Sequence, residues 1–300
     1  MQTLLIITCL LTASCGSAQV SKSQEEEPPA LPETHLWQST VDAVRAMIMG
    51  LSIPKHFMSV PFEKDGSEFD VNDYFKVLQH LSLEEGYVLD YGYQYTGLGG
   101  FPVVVVRNKE DTEPLVCEKV EVTVRRDENS EPLIGEKLEC INGDIGWFAR
   151  VRTDGTPESF FELVLLLITH DQFYQHWHSN YNDTTIICDQ RALEAILLES
   201  DPLLAEMQQH ARDNPEERGM VEKMINRQLS PIYEFLEETK RIDFSPKVEL
   251  DSDRVKVSVI QFTKWGGLSS CDYVFSKEAP HKSLSHTCEN IAEYNCGIMF

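Results

Sequence analysis

The chain has 300 residues, of which 42% are hydrophobic and 25% are charged, with 49 acidic side chains against 26 basic ones. This composition is typical of a folded globular protein. The net charge of -23 and the lack of a basic stripe in the sequence exclude nucleic acid as a favourable partner, because an acidic surface repels phosphate. A basic protein, a peptide, a glycan or a divalent cation is compatible with that charge.

The N-terminus predicts an exported protein. An uncharged apolar run from Leu4 to Leu11 is followed by small residues, as in a secretory signal, and is too short for a permanent membrane span. The tetrad Thr12-Ala13-Ser14-Cys15 resembles the lipobox of bacterial lipoproteins. That resemblance implies lipidation of Cys15, which would anchor the protein to a membrane at the bacterial cell envelope. Ordinary cleavage near Ser17 or Ala18, which would release a freely secreted protein, is the alternative.

The sequence divides into three parts. Residues 1–15 are the predicted signal peptide, and residues 16–35 form a tether rich in Glu, Pro, Ser and Gln. Residues 36–300 are predicted to fold as a single globular domain.

The pattern along this domain predicts strands, then helices, then strands. Helices are expected over 40–51 and 75–81, strands in a meander over 87–152, helices over 157–241, and a hairpin over 255–275. Thr156-Pro157-Glu158 is a helix start, with a cap followed by proline in the first turn. The order predicts an α+β fold, in which one antiparallel sheet (about 87–152 and 255–275) packs against a central helical block (about 157–241). The last hairpin is expected to join the first sheet.

Cysteine spacing predicts disulfides, which suit an exported chain. If the turn after the strand at 119–125 centres between Glu128 and Asn129, Cys117 lies directly opposite Cys140. The same register opposes Glu118 and Glu139, so a slip of one residue stays open. Near the C-terminus, Cys288 and Cys296 are eight residues apart and could close a small loop.

A tyrosine stripe lies on one strand. Tyr91, Tyr93 and Tyr95 alternate with other residues and therefore share one face. They could stack on a sugar or a peptide, or they could belong to the core of the sheet.

The stretch THDQFYQHWHSNYND, residues 169–183, is the richest in chemically versatile side chains. On a continuous helix His176 and His178 point about 200° apart and cannot share a metal ion. If the helix ends near Gln175, an extended chain puts both rings on one face, with Asp183 as a further ligand. The competing interpretation is a helix end built from polar and aromatic residues.

These patterns favour a binding or structural role at the cell envelope over catalysis, because no complete catalytic constellation can be assembled. A metal-dependent hydrolase that uses His176 and His178 is the alternative. No cofactor is predicted, and a divalent metal is expected only under that alternative. The sequence leaves the ligand and the oligomeric state open.

Overall fold

The structure, a computed structural model, describes residues 33–58, 64–96, 99–124, 133–177, 183–199 and 202–294. These residues belong to a compact unit that comprises Pro32–Phe300. The predicted signal peptide with Cys15, most of the tether, and the residues His178 and Cys296 lie outside the described ranges. No helix among the described residues is both long enough and apolar enough to cross a membrane.

Six α-helices form within the described residues. They are α1 (Glu33–Ile48), α2 (Tyr74–Val77), α3 (Pro157–Thr169), α4 (Gln190–Glu199), α5 (Pro202–Asp213) and α6 (Arg218–Thr239). The predicted cap of α3 is confirmed, since the Thr156 hydroxyl accepts a hydrogen bond from the backbone N–H of Ser159. The start of α1 at Glu33 shows that the helix begins within the segment that was expected to be tether.

The strands of the described residues are antiparallel. They are β1 (Leu81–Leu83), β2 (Tyr87–Thr96), β3 (Gly99–Asn108), β4 (Cys117–Val124), β5 (Leu133–Cys140), β6 (Val151–Thr153), β7 (His176–Trp177), β8 (Thr185–Ile187), β9 (Lys247–Leu250), β10 (Arg254–Thr263), β11 (Gly267–Ser276) and β12 (Ser283–Ala292). One sheet has the order β12-β11-β10-β8, with β9 also paired to β10. A second has the order β2-β3-β7, and β1-β6 and β4-β5 form separate pairs. The mixture of helices and antiparallel sheets confirms the predicted α+β class.

Two details of the predicted sheet are wrong. The hairpin β10-β11 pairs with β8, β9 and β12 and does not extend the sheet that contains β2 and β3. The last part of the predicted meander over 87–152 is not a continuous strand: it begins as a 3₁₀ turn, Trp147–Arg150, which is followed by the short strand β6. The backbone N–H of Ala149 closes the turn by donating to the Gly146 carbonyl at 3.1 Å, and just before it the Asp144 carboxylate accepts a hydrogen bond from the backbone N–H of Gly146 at 2.7 Å.

The core lies on both faces of the β10 sheet. Strand alternation sends Val255, Val257 and Val259 into a large cluster with the buried helix α3. Ile260 and Phe262 point to the other face, where α4 and α6 cover them. The helix α3 is buried on nearly all sides, as its continuous apolar run predicts. It contacts α1, β8, β9 and β10 and is therefore the central helix of the fold.

Two disulfides form in the described part of the chain. Cys117 bonds to Cys140 across β4 and β5 with a Cα–Cα distance of 4.0 Å, so the predicted pair and its register are confirmed. Cys288 bonds to Cys271 on the neighbouring strand β11, at a Cα–Cα distance of 4.1 Å. The predicted loop between Cys288 and Cys296 is therefore wrong. The pairing of β11 with β12 places Cys271 directly opposite Cys288, which is the spacing that a cross-strand disulfide needs.

Candidate ligand-binding cleft

The loop after α3 begins within the stretch 169–183, before His176. The helix ends at Thr169, and His170 is its C-cap residue. Nδ1 of His170 lies 2.9 Å from the carbonyl oxygen of Leu167, and the His170 ring contacts the Trp147 ring, with centroids 4.7 Å apart. His170 thus satisfies a helix end and takes part in packing. The helix ends six residues before Gln175, so His176 does not lie on a continuous helix.

Tyr174 fixes the course of this loop. It is a non-glycine residue with positive φ, at 55°, a conformation that costs of order 1–3 kcal/mol unless the surroundings stabilise it. Its carbonyl accepts a hydrogen bond from the Tyr93 hydroxyl at 2.8 Å, and its own hydroxyl accepts one from the backbone N–H of Phe69 at 2.9 Å. Phe57 packs edge-on against its ring. These contacts hold the loop in one conformation.

The loop forms one wall of a cleft of about 380 Å³. The other walls come from the C-terminal end of α1, from β8 and the residues before it, from α4, and from the end of β10. The polar and charged lining side chains are Arg45, Gln172, Gln175, Asp183, Thr185 and Lys264, and the larger apolar ones are Ile48, Met49, Leu51, Ile196 and Phe262. The volume and the mixture of an apolar wall with a few convergent polar groups are typical of small-molecule sites.

Three charged side chains meet in this cleft. Arg45 on α1 donates a hydrogen bond from Nη1 to the Thr185 hydroxyl on β8. Lys264, just after β10, lies with Nζ 3.7 Å from Oδ2 of Asp183. Burial raises the pKa of Asp183, while Lys264 and Arg45 oppose that rise. Oδ1 of Asp183 is buried and has no hydrogen-bond partner among the described residues. The carboxylate is therefore incompletely satisfied, which is unusual for a group that serves only to stabilise the fold.

The loop itself is braced against β8. The Gln172 side-chain amide donates to the carbonyls of Ile168 and Thr184, both at 2.9 Å. One bond returns to α3 and the other reaches the residue before β8. The wall of the cleft is thereby tied to the strand that carries Thr185, so the polar groups are positioned by regular structure.

The residues of the predicted metal site lie in different surroundings. His176 is in the extended strand β7, where it pairs with Gly100, and its ring lies 5.9 Å from the ring of Tyr95. Asp183 lies in the cleft beside Lys264, and His178 lies outside the described residues. The structure thus gives His176 the extended backbone that a shared metal face would need, and pairs Asp183 with an ammonium group.

Other groups of side chains could hold a metal ion. Among the described residues, two sets of three bring their ligand atoms within 4.8 Å of one another: His56 with Asp65 and Glu68, and His286 with Cys271 and Cys288. In the first set His56 and Glu68 already bond to each other at 2.7 Å. In the second set both sulfurs belong to a disulfide. Each set therefore has a structural role without a metal.

The tyrosine stripe is part of the core. Tyr91 and Tyr93 have 1% and 4% of their surface exposed, and Tyr95 is half-buried. The Tyr91 ring contacts Phe173, with centroids 4.8 Å apart. The suggestion that these tyrosines stack on a sugar or peptide is contradicted for Tyr91 and Tyr93, because both rings are buried. Phe57 packs against Tyr93, and the Lys64 ammonium lies 3.6 Å from the centroid of the Tyr91 ring.

Comparisons with protein families, with curated proteins and with solved structures find no match for this chain. The geometry of the cleft and the N-terminal sequence are therefore the features that bear on function.

Proposed function

We propose that the protein is an exported, lipid-anchored binding protein of the bacterial cell envelope, and that the cleft between α1, β8 and β10 holds its ligand. The observation that carries the proposal is the convergence of Arg45, Asp183 and Lys264 in one cleft of about 380 Å³ beside an apolar wall. A site that both orients a ligand and buries apolar surface needs this combination.

Binding is favoured over catalysis by the chemistry of the lining. The described residues that line the cleft include no Ser, Cys or His. The usual pair of a nucleophile and a histidine base therefore cannot be built from them. Amide groups from Gln172 and Gln175 and the Thr185 hydroxyl add neutral hydrogen-bonding groups. Such groups orient a ligand through hydrogen bonds.

The binding site is tested by closing the cleft. Met49 is 61% exposed and lines the cleft, so Met49→Trp should fill the opening without disturbing the core. Met224 is 53% exposed and lies on α6, so Met224→Trp is the matched control. We expect compounds from a panel of small organic acids, amines, sugars and amides to raise the Tm of the wild type and of Met224→Trp, but not of Met49→Trp. The proposal fails if no compound raises the Tm or if Met49→Trp responds like the wild type.

The membrane anchor is tested separately. The tetrad that ends at Cys15 supports a lipid on that residue, and the acidic tether that follows would separate the folded domain from the membrane. Mass spectrometry of the mature N-terminus should find a lipidated cysteine, and Cys15→Ser should move the protein from the membrane fraction to the soluble fraction. A mature N-terminus at a residue after Cys15 would show that the protein is freely secreted.

A metal-dependent hydrolase that uses His176 and His178 is the second candidate. The observation in its favour is that α3 ends at Thr169, which leaves His176 in an extended strand. This is the backbone conformation in which alternate side chains point to one face. Metal analysis of the purified protein decides the matter: the hydrolase requires stoichiometric metal that is lost in His176→Ala, and a metal-free protein rules it out.

A further inference from the structure

The side chains that line the cleft carry a net positive charge in a strongly acidic protein. Arg45 and Lys264 are the cations of the described lining, and Asp183 is its carboxylate. The lining therefore has one positive charge in excess, whereas the whole chain has a net charge of -23. A local excess of the minority sign attracts a ligand of the opposite sign, and walls of low dielectric strengthen that attraction.

The positions of the two cations point to where an anion binds. The Thr185 hydroxyl accepts from Nη1 of Arg45, which fixes the guanidinium at the β8 side of the cleft. The Lys264 ammonium is 3.7 Å from Asp183, a distance beyond that of a normal hydrogen bond. Lys264 can thus donate to a ligand while Asp183 keeps it directed into the cleft. Carboxylates are well matched to a guanidinium and an ammonium group.

The rest of the lining indicates what accompanies the anionic group. Met49, which is 61% exposed, and the partly buried Leu51 present the accessible apolar surface of the same cleft, above the buried side chains of Ile48 and Phe262. Exposed apolar surface of this kind gains free energy when a ligand covers it. The Asp183 carboxylate, in turn, makes a second negative charge on the ligand unfavourable.

We propose, on the basis of the binding function proposed above, that the cleft selects small monocarboxylic acids with an apolar tail. The carboxylate lies between Arg45 and Lys264, and the tail packs on Met49 and Leu51. Asp183 positions Lys264 and discriminates against dicarboxylates. Neutral and cationic analogues of the same size bind weakly, since they cannot pair with the two cations.

The test compares four probes of one chain length on the mature protein by isothermal titration calorimetry: hexanoate, hexanamide, hexylamine and adipate. Hexanoate is expected to bind at least about tenfold more tightly than each of the others, because hexanamide and hexylamine lack the carboxylate and adipate brings a second negative charge to Asp183. Hexanamide or hexylamine binding as tightly as hexanoate overturns the proposal, and adipate doing so refutes the selection against dicarboxylates.

Variants locate the carboxylate. Lys264→Met should weaken hexanoate binding by about tenfold or more, and Lys264→Arg should retain most of the affinity because the charge remains. The matched control is Lys247→Met, which removes another lysine that pairs with an aspartate, Asp243 at 2.9 Å, on the exposed surface. An unchanged hexanoate affinity in Lys264→Met contradicts the proposal.

The outcome separates the two proposals. If neutral or cationic compounds bind and Met49→Trp abolishes their binding, the cleft is a binding site but the assignment to monocarboxylic acids is wrong. If no compound of any charge responds to Met49→Trp, the proposed binding function fails as well.

Discussion

Substitution of Glu162 by glutamine should change how the stability of the fold depends on pH. Glu162 lies on the central helix α3 and is only 6% exposed. Its Oε2 accepts a hydrogen bond from the backbone N–H of His80 at 2.9 Å. Burial raises the pKa of the Glu162 carboxyl from 4.5 to about 6, although hydrogen bonding to the backbone of His80 opposes the rise. The neutral acid is thus the form that the folded state favours.

The direction of the effect follows from proton binding. Between pH 6 and 4.5 the Glu162 carboxyl is largely protonated in the folded state and largely ionised in the unfolded state. The free energy of unfolding therefore increases as the pH falls through this window, and above pH 6 the ionised carboxylate destabilises the fold. The rise of the Glu162 pKa from 4.5 to about 6 corresponds to at most about 2 kcal/mol in the free energy of unfolding. Screening by nearby water reduces this to roughly 1–2 kcal/mol.

The assay is urea unfolding of the wild type and of Glu162→Gln at pH 7.5 and pH 4.0. We measure the free energy of unfolding of the variant minus that of the wild type. This difference should be more positive at pH 7.5 than at pH 4.0 by roughly 1–2 kcal/mol, because glutamine is neutral at both pH values and Glu162 is ionised only at the higher one. Other carboxyl groups titrate in both proteins, and their effects cancel in the comparison. If the two proteins show parallel pH profiles, Glu162 has an ordinary pKa and burial does not raise it.

Three further predictions concern side chains that stabilise the fold. Asp154→Asn should lower the pKa of His80 in an NMR titration, because the hydrogen bond to Asp154 raises that pKa. The stability that His80 contributes below pH 6.5 and loses at higher pH should then shrink, and an unchanged pKa would contradict this. Replacing Cys117 and Cys140 together by serine should lower the free energy of unfolding by about 3 kcal/mol in urea, whereas an unchanged midpoint would show that the loop is already constrained. Thr156→Ala should cost about 1 kcal/mol in thermal or urea unfolding, and Thr156→Ser, which keeps the hydroxyl, should cost less.

Local patterns predicted the elements that depend on local interactions. The cap at Thr156 and the continuous apolar run of α3 are local signals, and both predictions are confirmed. The register of β4 and β5 is also as predicted, even though it opposes Glu118 and Glu139. The disulfide fixes that register. Nζ of Lys137 lies 2.5 Å from Oε1 of Glu139, and this ion pair offsets the repulsion between Glu118 and Glu139.

The strand β12 shows where local patterns are insufficient. Its residues 283–291 are exposed, so no alternation of apolar and polar residues marks the strand. It forms through its backbone ladder with β11 and the bond between Cys271 and Cys288. Both features depend on the pairing of β12 with β11, the strand before it, and no pattern within β12 alone encodes that pairing.

The cleft could not be predicted for a related reason. Arg45, Asp183 and Lys264 come from separate elements, and each alone is an ordinary charged residue of an acidic chain. Only the packing of α1 against β8 and the end of β10 brings them together. The pattern of the stretch 169–183 predicted a metal site or a helix end, and not a cleft. Of its residues, Gln172, Tyr174, Gln175 and Asp183 line the cleft, while His176 lies in β7.

The most direct test of the ligand-binding cleft is an NMR titration of the protein, labelled at its methionine methyl groups, with hexanoate. Met49 lines the cleft, whereas Met220 and Met224 lie on α6 and are similarly exposed, so they serve as internal controls. We predict a saturable shift of the Met49 methyl resonance that is absent in Lys264→Met, with Met220 and Met224 unmoved. A Met49 resonance that does not respond, or equal shifts at all three methionines, would contradict it.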